Sequence, residues 1–291
     1  MIAPSPQYRY FIRLSYDGTD FCGWQKQENA ATVQQEIENA LLFIAGLESR
    51  VTGCGRTDTG VHARVFYAHF DHFKAFTSKE LLKMVYRINS YLPSSIAVQQ
   101  IFPVIPEAHA RFSALSRQYS YYILTEKDPF MADKAWRVHG NIDVETMNRA
   151  AIIMMEYTDF ECFSKTNTQV KTFNCKITEA IWTKTNDQLI FTIRADRFLR
   201  NMVRAIVGTM LDIGRHKTSI EDFRKIIESR NRSKAGYSVP AKGLYLTDVV
   251  YPGNIFTEKP VSFLPGSPDE IETHDNADTK FHHRSGNEAD E

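Results

Sequence analysis

An arginine and an aspartate, Arg56 and Asp58, lie two residues apart in a glycine-rich stretch of this 291-residue chain. The stretch at 53–63 reads GCGRTDTGVHA, and its glycines favour a shaped loop that another molecule can approach closely. Because an opposite charge favours the ionised form of a carboxyl group, we expect Arg56 to keep Asp58 charged. Such a carboxylate can act as a nucleophile or a general base. The alternative is a turn aspartate that accepts backbone hydrogen bonds beside a structural arginine.

A second polar segment, at 16–27, reads YDGTDFCGWQKQ and combines turn residues with an aromatic ring and amide donors. The amide of Gln25 is a candidate for a contact with substrate. The alternative is a strand end that buries Trp24 in the core.

Cations and aromatic residues alternate between 111 and 121. If this segment is a strand, Arg117, Tyr119 and Tyr121 share one face, and Arg111 precedes them. A cation beside an aromatic platform holds single-stranded bases through stacking and phosphate contacts. The alternative is a half-buried strand whose tyrosines belong to the core.

Two further arginines, Arg200 and Arg204, begin an otherwise apolar segment that predicts a helix over 199–213. Four residues apart on a helix, they would lie on one face. Taken alone, this pattern also fits a solvated charged stripe. Leu244 lies near the end of the chain in the segment AKGLYL.

The elements that position these residues follow from hydrophobic periodicity. In the first part of the chain we expect strands over 8–16, 64–70 and 96–101. Helices should follow Thr32 and Thr77, which both have capping-box spacing. In the second part we expect strands over 118–124, 177–185, 189–195 and 244–250 and helices over 143–156, 199–213 and 219–228. Asn186-Asp187 is a candidate hairpin turn.

Strand–helix–strand units therefore appear twice, which predicts an α+β protein of two similar halves at 1–105 and 106–251. Sheets of this kind can join edge to edge and leave a cleft between the halves. The segment 252–291 holds nine acidic and three basic residues and is predicted to be a disordered tail. Without it, the 35 basic and 35 acidic residues of the chain become 32 and 26, a net charge of +6 that is compatible with a polyanionic partner.

Composition excludes several classes of protein. No apolar run is long enough to span a bilayer, and the N-terminus has no secretion signal, so we expect a cytoplasmic protein. The four cysteines form no C-x-x-C pair and no zinc spacing, which predicts reduced thiols and no metal site. There is no phosphate-binding or dinucleotide-binding glycine motif, so no cofactor is expected.

Together, the segments resemble the tRNA pseudouridine synthase A family. The stretch at 53–63 is similar to G-x-G-R-T-D-x-G-V-H-A, and the segment from residue 16 is similar to Y-D-G-T-x-F-x-G-W-Q. Residues 109–121 resemble H-A-R-F followed by R-x-Y-x-Y, 198–208 resemble F-L-x-x-M-V-R-x-I-V-G, and 240–246 resemble P-A-x-G-L-Y-L. Two residues depart from the pattern, because Ala108 replaces a usual phenylalanine and Asn201 replaces a frequent histidine.

The resemblance implies two ferredoxin-like or RRM-like halves whose antiparallel sheets join around a central active-site cleft. It also implies a homodimer that isomerises uridine to pseudouridine at positions 38 to 40 of the tRNA anticodon arm, without cofactor or metal. Asp58 would be the essential carboxylate, with Arg204 reaching it and Arg56 filling the space of a flipped base. Tyr119 and Leu244 would pack on the target base. The other implied substrate contacts are Gln25, Arg111, Arg117 and Arg200.

Two other functions fit part of the pattern. A non-catalytic RNA-binding protein would explain the arginines and tyrosines, but it has no need for the Arg56–Asp58 pair. A carboxylate-dependent glycosidase would explain Asp58, yet hydrolysis usually needs a second positioned carboxyl group. Asp17 and Asp20 are the nearest candidates in sequence for that group.

Overall fold

The computed structural model describes residues 8–166, 170–185 and 187–257. In these residues the strands are β1 (Tyr8–Tyr16), β2 (Thr52–Gly53), β3 (His62–His72), β4 (Ile96–Val104), β5 (Ser116–Leu124), β6 (Trp136–Arg137), β7 (Ile177–Lys184), β8 (Gln188–Ala195) and β9 (Leu244–Val250). The α-helices are α1 (Val33–Ala45), α2 (Ser78–Tyr91), α3 (Val144–Met154), α4 (Met202–Gly214) and α5 (Ile220–Glu228). The predicted tail from residue 258 onward and Asn186 of the predicted turn lie outside the described residues.

All nine strands belong to one sheet in the order β4-β1-β3-β9-β5-β8-β7, with β2 on β3 and β6 on β5. The last strand, β9, lies in the middle, where it pairs antiparallel with β5 and parallel with β3. The sheet is therefore mixed, not purely antiparallel as predicted. The described residues form one compact unit, and a division at 105/106 stays a prediction.

Two hydrophobic clusters of buried side chains pack against the sheet. One holds Phe11, Leu41 and Phe66 with the rest of β1, β3, β4, α1 and α2, and the other holds Phe191 and Ile206 with β5, β7, β8, α3 and α4. Full burial of each such side chain contributes about 1.5–3 kcal/mol. Tyr119 packs against both clusters and so marks the place where they meet.

The predicted strands at 8–16 and 244–250 are confirmed with the same bounds, and the other predicted strands and helices are present with shifted ends. The two-residue strands β2 and β6 were not predicted, because a pair of residues carries no periodicity. At Thr77 the capping box is confirmed, with both reciprocal hydrogen bonds to Glu80.

Two local predictions are wrong. Thr32 precedes α1 but makes no capping bond, and its hydroxyl is buried without a partner in the part of the chain that the structure describes. Gln35, the other half of the predicted capping box, donates instead to Asn39. Helix α4 begins at Met202, because Asn201 adopts the left-handed conformation at φ 68°. Arg200 therefore precedes the helix and does not share a helical face with Arg204.

Candidate active site

The loop that carries Asp58 is fixed by its neighbours on both sides. Thr57 is buried, and its hydroxyl lies 2.9 Å from the Tyr16 hydroxyl. Its carbonyl accepts a hydrogen bond from the Trp24 amide at 3.4 Å. Gly23, at φ +83°, lies so close that an added Cβ would be 2.2 Å from the Thr57 oxygen. The glycine of the 16–27 segment thus lets that segment close over the loop and hold Asp58 in place.

Asp58 contacts two cations from the second part of the chain. Its Oδ1 is 3.5 Å from Arg200 Nε, and its Oδ2 is 3.8 Å from Arg204 Nη1. Arg204 is only 21% exposed and donates to the Val239 carbonyl at 2.6 Å, whereas Arg200 is 61% exposed. Within the described ranges no hydrogen bond reaches either carboxylate oxygen, so the acceptor positions of Asp58 are open to a substrate.

The predicted pair of Arg56 with Asp58 is not formed. The Arg56 side chain is exposed and makes no ion pair within 4 Å among the residues that the structure describes. In an irregular loop, neighbours two positions apart need not point to the same side, and here the charge opposite Asp58 comes from Arg200 and Arg204. The predicted role of Arg56 in catalysis stays a prediction.

Tyr119 lies beside the carboxylate at the junction of the two hydrophobic clusters. Its ring meets Phe198 edge-on, with centroids 5.1 Å apart. Burial raises the pKa of its hydroxyl well above the ordinary value, and the charges of Cys54 and Asp58 raise it further against the effect of Arg117. Tyr119 therefore keeps its proton at neutral pH and presents an aromatic ring and a neutral donor next to Asp58.

Arg117 ties three segments of the site together. Its guanidinium donates to the carbonyls of Cys54 at 3.1 Å, Asp196 at 2.9 Å and Ala114 at 3.2 Å, and also to that of Arg111. These bonds use most of its five N–H donors. The placement supports a positioning role for Arg117, and its predicted contact with substrate stays a prediction.

Gln25 and Leu244 are both engaged within the protein. The Gln25 amide donates to the Gln34 side chain at 2.9 Å, and Gln34 is itself buried. Leu244 is 7% exposed, begins β9 and pairs with Tyr121 across to β5. Their predicted contacts with a substrate stay predictions.

A cluster of four arginines lies at the Asp58 loop. It consists of Arg56, Arg111, Arg117 and Arg197. Burial lowers the pKa of Arg111, and the like charges of Arg56, Arg117 and Arg197 lower it further. No ion pair neutralises any of the four within the described residues. Arg197 was not among the predicted site residues, although it begins the basic segment RFLR. Such a cluster of unpaired cations is suited to bind the phosphates of a polyanion.

Asp17 is held in a different way from Asp58. It accepts hydrogen bonds from the Thr19 amide at 3.1 Å and hydroxyl at 2.7 Å, and from Lys134. Burial tends to raise its pKa, but the hydrogen bonds from Lys134 and Thr19 outweigh this and lower the pKa to about 2. A carboxylate with its oxygens so occupied is a poor partner for hydrolysis.

Two further features are absent from the described ranges: a cluster of metal ligands and a membrane-spanning helix. No group of three or more His, Cys, Asp or Glu side chains is placed to hold a metal ion there. In the same residues, none of the helices has the length and apolar character needed to cross a membrane.

Comparison with known proteins places this chain in a family. Residues 157–252 match a family model described as tRNA pseudouridine synthase. The chain is 51% identical over 248 residues to tRNA pseudouridine synthase A of Parabacteroides distasonis, which covers 85% of the chain and 98% of that protein. The protein of the same name from Porphyromonas gingivalis is 50% identical over 85% of the chain and 99% of its own length. That from Halalkalibacterium halodurans is 41% identical over 81% of the chain and 90% of its own length. The chain belongs to the tRNA pseudouridine synthase A family.

Proposed function

We propose that this chain isomerises uridine to pseudouridine at positions 38 to 40 of the tRNA anticodon arm, with Asp58 as the essential carboxylate. The coarser part follows from membership of the family, which makes the chain a tRNA pseudouridine synthase and therefore an isomerase. The finer part depends on one observation above all. Asp58 lies between Arg200 and Arg204 with its oxygen atoms free of hydrogen bonds in the described residues.

The reaction needs a carboxylate of this kind. The N-glycosidic bond breaks, the uracil turns, and a bond forms between C1′ of the sugar and C5 of the base, so the product has the same atoms as the substrate. Asp58 either attacks a carbon or removes a sugar proton, and both routes need an ionised, accessible oxygen. Arg204 is fixed on the Val239 carbonyl. It holds the carboxylate in place and balances its negative charge.

The target base must leave its stack before it reaches Asp58, which costs a few kcal/mol. Stacking on an aromatic ring returns roughly 1–3 kcal/mol per base. The half-buried ring of Tyr119 is placed for this role, and its protonated hydroxyl can donate to the base. Arg56 is exposed on the same loop and is free to enter the space that the base leaves.

We also propose the larger architecture that accompanies this activity. The two hydrophobic clusters support an arrangement of two similar halves, 1–105 and 106–251, around a central cleft that holds Asp58. The protein would act in the cytoplasm as a homodimer. Arg56, Arg111 and Arg197 would bind the phosphates of the anticodon arm, and the charge of Arg117 would add to their attraction.

The test is to incubate the purified protein with an unmodified tRNA transcript in buffer alone and to map pseudouridine base by base. Asp58→Ala is run alongside, with Asp20→Ala as a matched control, since Asp20 is an exposed aspartate of the neighbouring segment. We expect pseudouridine at positions 38 to 40, lost in Asp58→Ala and kept in Asp20→Ala.

Two outcomes would contradict the proposed reaction, and a third would contradict only its target positions. Release of free uracil would identify a glycosidase, and tight binding without modification would identify an RNA-binding relative without chemistry. Modification at other positions would keep the isomerase but overturn its proposed target.

A further inference from the structure

We propose that Phe112 is a stacking platform for a nucleobase that flanks the target uridine, held out by a rigid loop beside the four arginines that bind the adjoining phosphates. The inference rests on the proposed function, since it names a contact with the same RNA. It adds a residue that neither catalysis nor the fold requires.

Phe112 is 75% exposed, so its ring is open to contact with another molecule. Its ring lies 4.4 Å from that of His109, and the Arg111 guanidinium lies 5.5 Å from its centroid. One side of the ring thus has protein neighbours, while most of its area faces solvent. A ring with a cation beside it is the arrangement that holds bases of single-stranded RNA.

The loop that presents Phe112 is built from buried groups. The Ala110 amide donates to His69 Nδ1 at 3.1 Å, and the Ala110 carbonyl accepts from the Tyr251 hydroxyl at 2.5 Å. His69 is 6% exposed and Tyr251 is 9% exposed. At the start of the loop, Arg9 donates to the Ala108 carbonyl at 2.8 Å.

The tip of the loop is closed by its own histidine, because His109 Nδ1 accepts from the backbone amides of both Arg111 and Phe112, at 3.1 and 3.2 Å. The exposed ring is therefore preorganised, which lowers the entropy lost when a base stacks on it.

The same loop is joined to the catalytic one. Arg117 donates to the carbonyls of Arg111, Cys54 and Asp196 at once. Cys54 is two residues from Arg56, and Asp196 precedes Arg197, so this one guanidinium brings the other three arginines to one place. Phe112 thus lies at the edge of the cationic cluster and not at Asp58 itself, which suits a neighbour of the target nucleotide.

The test measures binding in the Asp58→Ala background, where no turnover occurs. The dissociation constant for an unmodified tRNA transcript is measured for Phe112→Ala, Phe112→Leu and Phe112→Trp. Loss of one base stack predicts a 5- to 150-fold weakening, as a rough range, for Ala and Leu, and Trp should bind within about threefold of the parent. Tyr86→Ala is the matched control, because Tyr86 is also 75% exposed but lies on α2.

Salt separates stacking from charge. The weakening by Phe112→Ala should be the same at about 50 and 200 mM salt, whereas Arg111→Gln should lower the slope of log K against log salt by about 0.7–0.9. Thermal unfolding of each variant checks that the exposed ring was not needed for folding.

Three results would overturn the inference. The first is that Phe112→Ala binds the tRNA within twofold of the parent, and the second is that Phe112→Leu binds it as tightly as Phe112→Trp. The third is that Phe112→Ala changes self-association in sedimentation, which would mean that the ring contacts a second copy of the chain. If the binding result holds but positions 38 to 40 are not modified by the wild-type protein, the proposed target fails and the stacking role stands.

Discussion

Asp17 and Asp58 are two carboxylates that the fold surrounds with different partners. Asp17 accepts three hydrogen bonds and lies 3.0 Å from His62 Nδ1, whereas Asp58 makes only two ion pairs with the described residues, at 3.5 and 3.8 Å. Their exposed fractions are similar, 34% and 29%. The difference therefore lies in their partners and not in their depth. The oxygens of Asp17 are occupied by groups that link parts of the structure, whereas those of Asp58 stay open beside Arg204, as the proposed chemistry requires.

The most direct test of this difference is to replace each carboxylate in turn, beginning with Asp58. Asp58→Ala should lower the rate of pseudouridine formation by about 10⁴-fold or more, the upper end of what one acid–base group contributes. Affinity for tRNA should change little, because phosphate contacts dominate it. Single-turnover kinetics and filter binding measure the two quantities. Substantial turnover in this variant would remove Asp58 from the mechanism altogether.

The two cations of Asp58 should differ in their effects. Arg204→Lys should lower the catalytic rate by about 10- to 100-fold, because a lysine cannot keep both the Val239 carbonyl and Asp58 in one planar fork. Arg200→Lys should cost less than about fivefold, since Arg200 is mostly exposed and water screens its charge. Both rates come from the same single-turnover assay.

Equal losses in these two variants would show that the anchoring of Arg204 on the Val239 carbonyl gives it no larger role than the exposed Arg200. Arg194→Lys is a suitable control for arginine replacement in general. Its guanidinium pairs with Asp248 and Glu179, and Asp58 is not among its contacts in the described part of the chain.

Asp17→Asn should act on stability and hardly on chemistry. An asparagine keeps an acceptor for Thr19 but loses the charge that Lys134 binds. Hydrogen bonds to a charged group contribute about 1.5–3 kcal/mol before solvent screening, so we expect Tm to fall by about 2–6 °C. The catalytic rate at 25 °C should stay within about tenfold of wild type.

Acid should have the same effect on the wild-type protein. The folded pKa of Asp17, about 2, lies below its ordinary value of 3.8, so this stabilisation is present above about pH 4. It is lost as the pH falls towards 2.

A loss of activity in Asp17→Asn as complete as that in Asp58→Ala would instead support a two-carboxylate hydrolase.

Local sequence signals predicted most of the strands and helices and the loop that holds Asp58. Alternation predicted β1 and β9 with the same bounds, and the capping box at Thr77 predicted the start of α2. These are local signals and need no knowledge of tertiary contacts. The glycine-rich stretch at 53–63 likewise predicted a shaped loop around Asp58.

The partners of Asp58 could not be read in the same way. Arg56 is near in sequence but does not pair with Asp58 in the described residues. Arg200 lies 142 positions later and pairs from just before the observed helix α4, although the predicted helix included it. Its position depends on the left-handed turn at Asn201, which the hydrophobic pattern does not reveal. Thr32 is a similar case. The sequence has capping-box spacing there, but in the structure the Thr32 hydroxyl is buried and makes no hydrogen bond to the described residues.

The smallest expected effect concerns His62, which links the Asp17 region to β9. Its Nδ1 accepts from the Gly18 amide at 3.1 Å, and its Nε2 lies 3.1 Å from the Lys242 carbonyl. The ring stacks on Tyr245, with centroids 4.5 Å apart. Burial lowers the pKa of His62, and Lys134 lowers it further, although Asp17 and the Lys242 carbonyl oppose the shift. The folded protein therefore holds His62 neutral.

Because the folded pKa of His62 lies below the ordinary 6.5, the unfolded chain takes up the proton first as the pH falls. Stability should decline below about pH 6.5, with His62 contributing at most about 1.4 kcal/mol per pH unit. His62→Gln should reduce this slope in urea unfolding between pH 7 and 5, and the exposed His139→Gln should leave it unchanged. A residual slope is expected from His69, whose pKa burial lowers to about 4. An unchanged slope in His62→Gln would mean that His62 is already charged in the fold and forms an ion pair with Asp17, 3.0 Å from its Nδ1.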